Sequence, residues 1–256
     1  MSTTAHFCIA TVNRSKRLTY TLDQLTSIYE SLGVRITRYP ITTDTNRDAI
    51  FLKDNWATSP LGLIKANMAK ESRKHEPKLV FDFLGLLPVW TPSLKFEGAD
   101  LHWVTPTFAL QAKGSRTHSD EVSQWLQTWS PGITCQTVTL PAAHDQHLLG
   151  VANSVYHGEK VGLYGFGPVM AELNATDRFN QDSRLPEITC LELSGDDYAH
   201  KGSNWVQVGD TIVMGQNCNS TVCLLRDRGL NVVTLSIEPL LELGGGVACT
   251  TGVLHI

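Results

Sequence analysis

The segment HFCIATVNRSKRLTYTLDQLTSIYESLGVRITRY, residues 6–39, contains the pattern that decides the fold class. Its first part, His6 to Val12, is typical of a strand. Apolar residues then recur at helical spacing from Leu22 to Leu32, and Val34 to Tyr39 alternates apolar and polar residues again. Gly33 stands where a glycine commonly ends a helix. The segment therefore predicts a strand, a helix and a second strand.

Similar patterns recur further along the chain. The predicted elements are strands at Leu101 to Phe108, Cys135 to Leu140 and Asn231 to Ser236, helices at His118 to Thr128 and Ser220 to Asp227, and a hairpin at Trp205 to Met214. We expect Asn219 or Ser220 to cap the last helix and Gly229 to end it. The units share no clean sequence repeat, so periodicity predicts an α/β fold and leaves internal repetition open. No linker or long charge block divides the chain, and we expect a single domain over residues 1–256.

The composition is that of a globular protein without a strong charge bias. Of the 256 residues, 42% are hydrophobic and 18% are charged, which excludes the disordered, collagen-like and coiled-coil classes. The formal net charge is -4 at pH 7. Because the chain lacks the basic excess that binds phosphate backbones, we expect no nucleic-acid partner.

Apolar runs in the chain are short. The longest one, Phe81 to Trp90, is interrupted by Asp82 and Pro88 and is shorter than the roughly 20 residues of a membrane-spanning helix. The first residues, MSTTAHFCIATV, have no basic residue before their apolar patch, which does not fit a secretory signal. We therefore expect a cytoplasmic protein without a membrane partner.

One of the six cysteines stands out by its context. The cysteines lie at positions 8, 135, 190, 218, 223 and 249, without a CxxC pair, so neither a zinc ribbon nor a disulfide scaffold is predicted. Five of them are explained as small buried side chains. Cys249, in GGGVACTTG, follows three glycines that would let the backbone approach a ligand closely, although a structural glycine turn is the alternative.

The chain lacks the motifs of several common enzyme classes. GxGxxG, GxxxxGK[ST], HExxH and GxSxG are all absent at the required places. His144 and His147 are three residues apart, but no third ligand has suitable spacing, so we expect no metal and no cofactor. A thiol nucleophile with a histidine as acid and base is the simplest remaining chemistry. Taken singly, Asp54, Glu97 and Asp100 could equally belong to strand ends and turns, and His147 to the core.

Seven segments together resemble the guanidino-group-modifying enzymes, which include dimethylarginine dimethylaminohydrolases, arginine deiminases and amidinotransferases. The segments are FLKDNWAT (51–58), ESRKHE (71–76), FEGAD (96–100), GSRTH (114–118), DQHLLG (145–150), KGSNWVQVGDTIVM (201–214) and LGGGVACTTGVL (243–254). They cover nearly the whole chain in the order of the family. The resemblance implies a five-bladed α/β propeller of ββαβ units, the pentein fold, with its active site on the central axis.

The resemblance also implies a catalytic set. Cys249 matches the nucleophile and His147 the general acid and base, while Glu97, in the family's E-x-x-D segment, completes the set and contacts the substrate guanidinium. In such a reaction the thiolate attacks the central carbon of the guanidinium. His147 then protonates the departing amine and deprotonates the water that releases the product.

A second group of residues matches the family's substrate contacts. Asp54, in the F-x-x-D segment, is expected to hold the guanidinium, and Asp100 belongs to the same substrate-binding set. Arg73 and Arg116 match arginines that face the end of the substrate bearing the α-carboxylate. The chemistry agrees, because a guanidinium stays protonated and needs carboxylates around it in a buried site.

Two departures from the family give opposite indications about the substrate. Lys53 before Asp54, and the D-x-x-A-T pattern that follows, resemble arginine deiminases and favour plain arginine. Leu149, two residues after His147, replaces an Asp of deiminases and amidinotransferases, which favours a methylated guanidine; we give this second signal more weight. Thr250 and Thr251 also differ from the usual pair after the nucleophile.

The sequence therefore predicts a cysteine-dependent hydrolase of an N-substituted guanidino compound, such as methylarginine. Its products would be citrulline and an amine, formed through a covalent thiouronium intermediate. The alternatives are an arginine deiminase, an amidinotransferase that passes the amidino group to another amine, and a non-catalytic propeller that binds a partner. The expected partner is the small substrate, and a homodimer is left open.

Overall fold

Five small sheets of two or three strands make up the β-structure of the described residues. A computed structural model describes residues 4–13, 15–41, 47–140, 147–157, 160–175 and 188–255. Its strands are β1 (His6–Thr11), β2 (Arg35–Pro40), β3 (Trp56–Ser59), β4 (Gly62–Lys65), β5 (Leu101–Thr105), β6 (Phe108–Lys113), β7 (Thr134–Thr139), β8 (Ala152–His157), β9 (Lys160–Gly165), β10 (Ile188–Glu192), β11 (Val206–Val208), β12 (Thr211–Gly215), β13 (Asn231–Leu235) and β14 (Thr251–His255).

Helices connect the strands. The α-helices are α1 (Lys16–Ser31), α2 (Glu76–Leu84), α3 (Glu121–Trp129), α4 (Gly167–Ala175), α5 (Gly195–Ala199), α6 (Asn219–Arg226), α7 (Glu238–Leu241) and α8 (Val247–Thr250), and the 3-10 turns are Arg47–Ile50, Leu52–Asn55, Glu71–Arg73, Gly98–Asp100 and Leu148–Gly150. None of the helices in the described part of the chain is long and apolar enough to cross a membrane.

The strand order shows one unit repeated around the chain. Sheets β5-β6-β7, β8-β9-β10 and β11-β12-β13 each contain an antiparallel hairpin followed by a helix and a parallel strand. In the sheet β14-β1-β2 the last strand of the chain supplies the antiparallel partner of β1. The hairpin β3-β4 is followed by α2 and then by a single parallel bridge from Ile64 to Trp90. The α/β class and the repetition are thus confirmed.

Helix α1 shows how the spacing of apolar residues places a helix against a strand. Its buried residues include Leu18, Leu22, Leu25 and Tyr29, which recur every three or four positions and pack on β1. The helix begins at Lys16, six residues before the predicted start. The prediction missed this first part because residues 16 and 17 are basic and lie on the exposed face.

Two local predictions were wrong. The predicted strand Leu101 to Phe108 is the hairpin β5-β6, with a tight turn at Pro106 and Thr107. Proline cannot donate a hydrogen bond to a sheet, so the chain turns there. The N-terminus of α6 also differs from the prediction, because the residue at its cap position is Cys218. The buried carboxylate of Asp197 accepts hydrogen bonds there from the backbone N–H and the hydroxyl of Thr221.

Candidate active site

Five polar residues occupy the same place in the repeated unit, just before the first strand of a hairpin. Asp54 lies in the 3-10 turn before β3, and Glu97 directly precedes the turn before β5. His147 directly precedes the turn before β8, and Cys249 lies in α8, next to β14. Asn204, which the sequence analysis did not single out, takes the corresponding place before β11. The fold brings these residues together although they are far apart in sequence.

A cavity of about 180 Å³ lies among these segments. Within the described part of the chain it is lined by Asp48, Phe51, Asp54, Lys70, Arg73, Arg116, His147, Gly150, Lys201, Leu243, Gly244, Gly245 and Cys249. Five of the seven expected site residues therefore share one wall, while Glu97 and Asp100 are buried behind it. His144 lies outside the described residues.

Glu97 contacts the imidazole of His147. Nε2 of His147 lies 2.7 Å from Oε2 of Glu97, and Oε1 of Glu97 accepts from the backbone N–H of Ala69 at 3.0 Å. Burial opposes ionisation of Glu97, but the hydrogen bond and charge of His147 outweigh it and lower the carboxyl pKa. The carboxylate is therefore placed to orient and charge His147.

His147 is held in its protonated form. Burial alone would lower its pKa, but the charge of Asp54, followed by Asp100 and Glu97, raises the pKa to about 9. Nδ1 of the ring lies 3.6 Å from Oδ1 of Asp54. An imidazolium at neutral pH can donate a proton to a leaving amine.

One carboxylate oxygen of Asp54 has no hydrogen-bond donor within the described residues. Its Oδ2 accepts from Nη1 of Arg73 at 2.7 Å, and the two side chains are 3% and 2% exposed. Its Oδ1 is buried and accepts no hydrogen bond within the described residues. A buried carboxylate oxygen without a donor costs free energy, and a bound cationic N–H group would satisfy it.

Arg73 lines the cavity and also makes hydrogen bonds within the protein. Besides Asp54 it donates to Oε2 of Glu76 from both Nε and Nη2, at 3.0 and 2.8 Å. Three of its five N–H groups are thus used within the protein, and they fix the carboxylate of Asp54. Arg116 lies on the same wall, with Nη1 3.7 Å from Oε2 of Glu97.

Asp100 was expected to bind substrate, and the structure does not place it on the cavity wall. One oxygen accepts from the hydroxyl of Thr117 at 2.7 Å and the other from the backbone N–H of Leu148 at 2.9 Å. Burial raises its pKa to about 6. Its contacts show a role in holding the turn that follows His147.

Cys249 is positioned by Asn204 and by the glycines before it. Nδ2 of Asn204 donates to Sγ at 3.2 Å, and Oδ1 accepts from the backbone N–H of Cys249 at 3.3 Å. A Cβ on Gly246 would lie 2.6 Å from Oδ1 of Asn204, and one on Gly245 would lie 2.2 Å from the ring of Phe51. Both positions require glycine because the loop packs this closely, and burial and the charge of Asp54 raise the pKa of the thiol.

The side chain of Leu149, the residue that favoured a methylated guanidine in the sequence analysis, provides no apolar surface in the cavity. Its side chain is buried and does not line the cavity, and its carbonyl accepts from Nδ2 of Asn204 at 2.9 Å. The apolar part of the wall consists of Phe51 and Leu243 with the adjacent glycines. Any room for an N-substituent lies against these side chains.

Asp54, Glu97 and His147 also offer one potential metal-ligand atom each within 4.8 Å of one another. Two of the carboxylate oxygens are used by other groups, since Arg73 binds Oδ2 of Asp54 and His147 binds Oε2 of Glu97. The nearby guanidinium of Arg73 would repel a metal cation. These contacts occupy part of the ligand set that a metal ion would need.

The shape of the chain matches enzymes that act on guanidino compounds. The N-terminal domain of ArgZ, an arginine dihydrolase of the ornithine-ammonia cycle in cyanobacteria, superposes with a TM-score of 0.82 at 14% identity over 98% of each chain. The dimethylarginine dimethylaminohydrolase of Pseudomonas aeruginosa, in complex with citrulline, gives 0.79 at 16% identity, over 98% of this chain and 100% of that one. The chain has the fold of these two enzymes.

This result confirms the resemblance at the level of the fold. A variant of the ArgZ domain with a covalently bound reaction intermediate also matches, with a TM-score of 0.82 at 15% identity over 98% of each chain. No protein-family model and no curated protein sequence matches the chain. At these identities the match to the dimethylarginine dimethylaminohydrolase fold does not specify the substrate of this chain.

Proposed function

We propose that the protein is a hydrolase of guanidino compounds that uses Cys249 as its nucleophile. The observation that carries this proposal is the buried Oδ1 of Asp54, which accepts no hydrogen bond within the described residues and lies in a cavity that also contains Cys249 and His147. A planar cation with several N–H groups satisfies such an oxygen, and its central carbon is an electrophile for a thiolate. The arginine dihydrolase ArgZ and the dimethylarginine dimethylaminohydrolase, which share this fold, support the choice of a guanidino substrate.

The proposed reaction has two halves. The thiolate of Cys249 attacks the guanidinium carbon, and the C–N bond breaks while the imidazolium of His147 gives its proton to the departing amine. Neutral His147 then takes a proton from water, whose oxygen attacks the thiouronium carbon. Collapse of the adduct breaks the C–S bond, returns the electron pair to sulfur and releases a ureido product. Glu97 keeps His147 oriented in both halves.

Arginine derivatives fit the remaining charges of the cavity. Arg116 and Lys70 are cations suited to a carboxylate, and Asp48 is an anion suited to an ammonium group. Lys70 and Asp48 form an ion pair of 3.1 Å that is partly exposed, so a substrate can exchange partners with it. We propose that the substrate is an amino acid with a terminal guanidinium.

Within this class we propose an N-substituted arginine such as methylarginine. Phe51 and Leu243 form an apolar wall in the cavity, and burial of one methyl group there gains about 0.8 kcal/mol, or roughly four-fold in affinity. The second candidate is plain arginine, as in a deiminase or a dihydrolase, and the observation that favours it is the fold shared with ArgZ. An amidinotransferase is a third possibility, distinguished by transfer to an added amine.

We also propose that the five sheets are the blades of one propeller. The pairing of β14 with β1 joins the two ends of the chain, and each hairpin is preceded by a polar residue of the site. A closed ring would place all five of these residues around a common axis. A single cooperative unfolding transition would support a closed ring, and stepwise loss of one unit would oppose it.

The direct test measures products from a panel of guanidines. The purified protein would be incubated with arginine, monomethylarginine, dimethylarginine and agmatine, and citrulline-type product, ammonia and methylamines would be quantified. Release of methylamine or dimethylamine with a ureido product supports our choice, whereas ammonia from arginine supports the second candidate. A protein that turns over none of these guanidines, with or without an added acceptor amine, would contradict the proposed function.

A further inference from the structure

Lys201 is a cation on the cavity wall that the proposed reaction does not use. It lies in the turn between α5 and β11, three residues before Asn204, and its side chain lines the cavity together with Cys249. The carbonyl of Lys201 accepts from the backbone N–H of Asn204 at 2.9 Å. The residue is therefore tied through Asn204 to the nucleophile.

The backbone of Lys201 has a conformation that favours glycine. Its φ is 61°, and the hydrogen bonds around it are those of a helix end: Lys201 N–H donates to Tyr198 O at 3.0 Å and Gly202 N–H to Asp197 O at 2.6 Å. Glycine is the usual residue at the left-handed position of this motif. A lysine there strains the backbone, which indicates that the side chain has a use.

The charges around the thiol of Cys249 indicate what the side chain of Lys201 does. Asp54 faces Cys249 and disfavours a thiolate, and Lys201 is the cation that favours it together with the Asn204 amide. The other charged groups that line the cavity are Asp48, Lys70, Arg73, Arg116 and the protonated His147. Burial lowers the pKa of Lys201, and the nearby thiol opposes this fall.

A substrate guanidinium would also stabilise a thiolate, but only while it is bound. Before the substrate binds, this guanidinium is absent, and at the last step the ureido group of the product is neutral. When the C–S bond breaks, sulfur leaves with the electron pair, the carbonyl forms, and the hydroxyl proton passes to solvent, because His147 already holds the proton that it took from water. A fixed cation stabilises the sulfur anion at both of these stages.

We propose that Lys201 is a positioning residue whose ammonium group stabilises the Cys249 thiolate before substrate binds and again as product leaves. The proposal rests on the nucleophilic role of Cys249. It adds a residue that acts on the sulfur and does not touch the substrate guanidinium.

The test uses alkylation of Cys249, which does not require turnover. Iodoacetamide is added to the substrate-free protein from pH 6 to 10, and the rate at Cys249 is read by peptide mass spectrometry. We expect the pKa of the Cys249 thiol to rise by about one unit in Lys201→Gly, so the rate of Cys249 alkylation at pH 7 should fall about ten-fold. Lys201→Arg should restore most of the rate. Glycine suits the left-handed backbone, so this variant should remain folded.

Asn217→Gly is the matched control. Asn217 has a φ of 73° and is exposed away from the cavity, so its replacement relieves the same kind of strain without removing a charge. We expect its alkylation profile to equal that of the wild type. An unchanged profile in Lys201→Gly would overturn the proposal. A shifted profile in a protein that acts on no guanidine would uphold it and refute the proposed function alone.

A second measurement follows the last step. Acid quenching during turnover would trap the covalent adduct on Cys249, and slower departure of sulfur should raise the trapped fraction in Lys201→Gly relative to the wild type. A trapped fraction that stays at the wild-type level while turnover falls would contradict the role at product release.

Discussion

Replacement of Glu97 by Gln is expected to narrow the pH range of activity without weakening substrate binding. Glu97 is fully buried, lies behind the cavity wall and contacts His147 at 2.7 Å. The amide keeps the size of the side chain and removes its charge. If Glu97 acts through His147, the variant loses protonated imidazole at alkaline pH, whereas a direct contact with the guanidinium would raise KM.

The magnitude follows from the pKa of His147, which is about 9 against an ordinary 6.5. Asp54 and Asp100 still favour the protonated ring in the variant, so we place the pKa of His147 in Glu97→Gln about halfway between 9 and 6.5. At pH 8.5 the protonated fraction then falls about five-fold, and at pH 6 it stays above about nine tenths. The alkaline pKa in the pH profile of kcat/KM should fall by the same amount as the pKa of His147, which is about half of the difference between 9 and 6.5.

The assay is a set of kcat and KM measurements from pH 6 to 9.5, with an NMR titration of the histidine rings as a direct readout. Glu121→Gln is the matched control, because Glu121 accepts hydrogen bonds from Ser93 and Leu94 at the surface and does not line the cavity. An alkaline limb unchanged by Glu97→Gln, together with an increased KM, would refute the positioning role.

Three further predictions concern the nucleophile, the glycine loop and the pH dependence of stability. Cys249→Ser should abolish turnover with an unchanged unfolding midpoint, since a serine hydroxyl is not ionised near neutral pH, and residual turnover above a few per cent would contradict the covalent mechanism. Cys223, which the sequence analysis explained as a buried side chain, is exposed in the structure, and Cys223→Ser should keep full activity. Gly245→Ala should lower the free energy of unfolding by about 1 to 3 kcal/mol in urea titrations, because its Cβ meets the ring of Phe51 at 2.2 Å; an effect under about 0.5 kcal/mol would contradict this packing. The pKa of His147 is raised in the folded state, so protonated His147 stabilises the fold fully below pH 6.5, and this stabilisation of about 3 kcal/mol is lost as the pH rises through 9. The free energies of unfolding of the wild type and His147→Gln should therefore converge over this range, and a constant difference would contradict the prediction.

Several site residues could be identified from the sequence because they belong to short local motifs. A cysteine after three glycines, a histidine before a turn, and aspartates before strands each fit the turn that leads into a hairpin. Asn204 precedes β11 in the same way, so its place in the repeat could have revealed it. Lys201 left no such signal, since only its backbone conformation marks it.

The contacts between these residues could not be predicted from the sequence. Glu97 and His147 are 50 positions apart, and Asn204 and Cys249 are 45 apart. Their pairing depends on how separate units pack. The same packing directs Arg73 to Asp54 and Glu76, and it turns Asp100 towards Leu148 and away from the cavity.

The sequence by itself determined the α/β class and, through the family resemblance, singled out Cys249 and His147 as the proposed nucleophile and general acid, because periodicity and motifs extend over only a few residues. Only the tertiary structure decided which carboxylate oxygen lacks a hydrogen-bond donor, which carboxylates surround His147, and which cation lines the cavity together with Cys249. Those outcomes depend on burial and on charges brought close from distant segments. Electrostatic interaction energies change steeply with distance and with exposure to water, and a linear sequence specifies neither quantity.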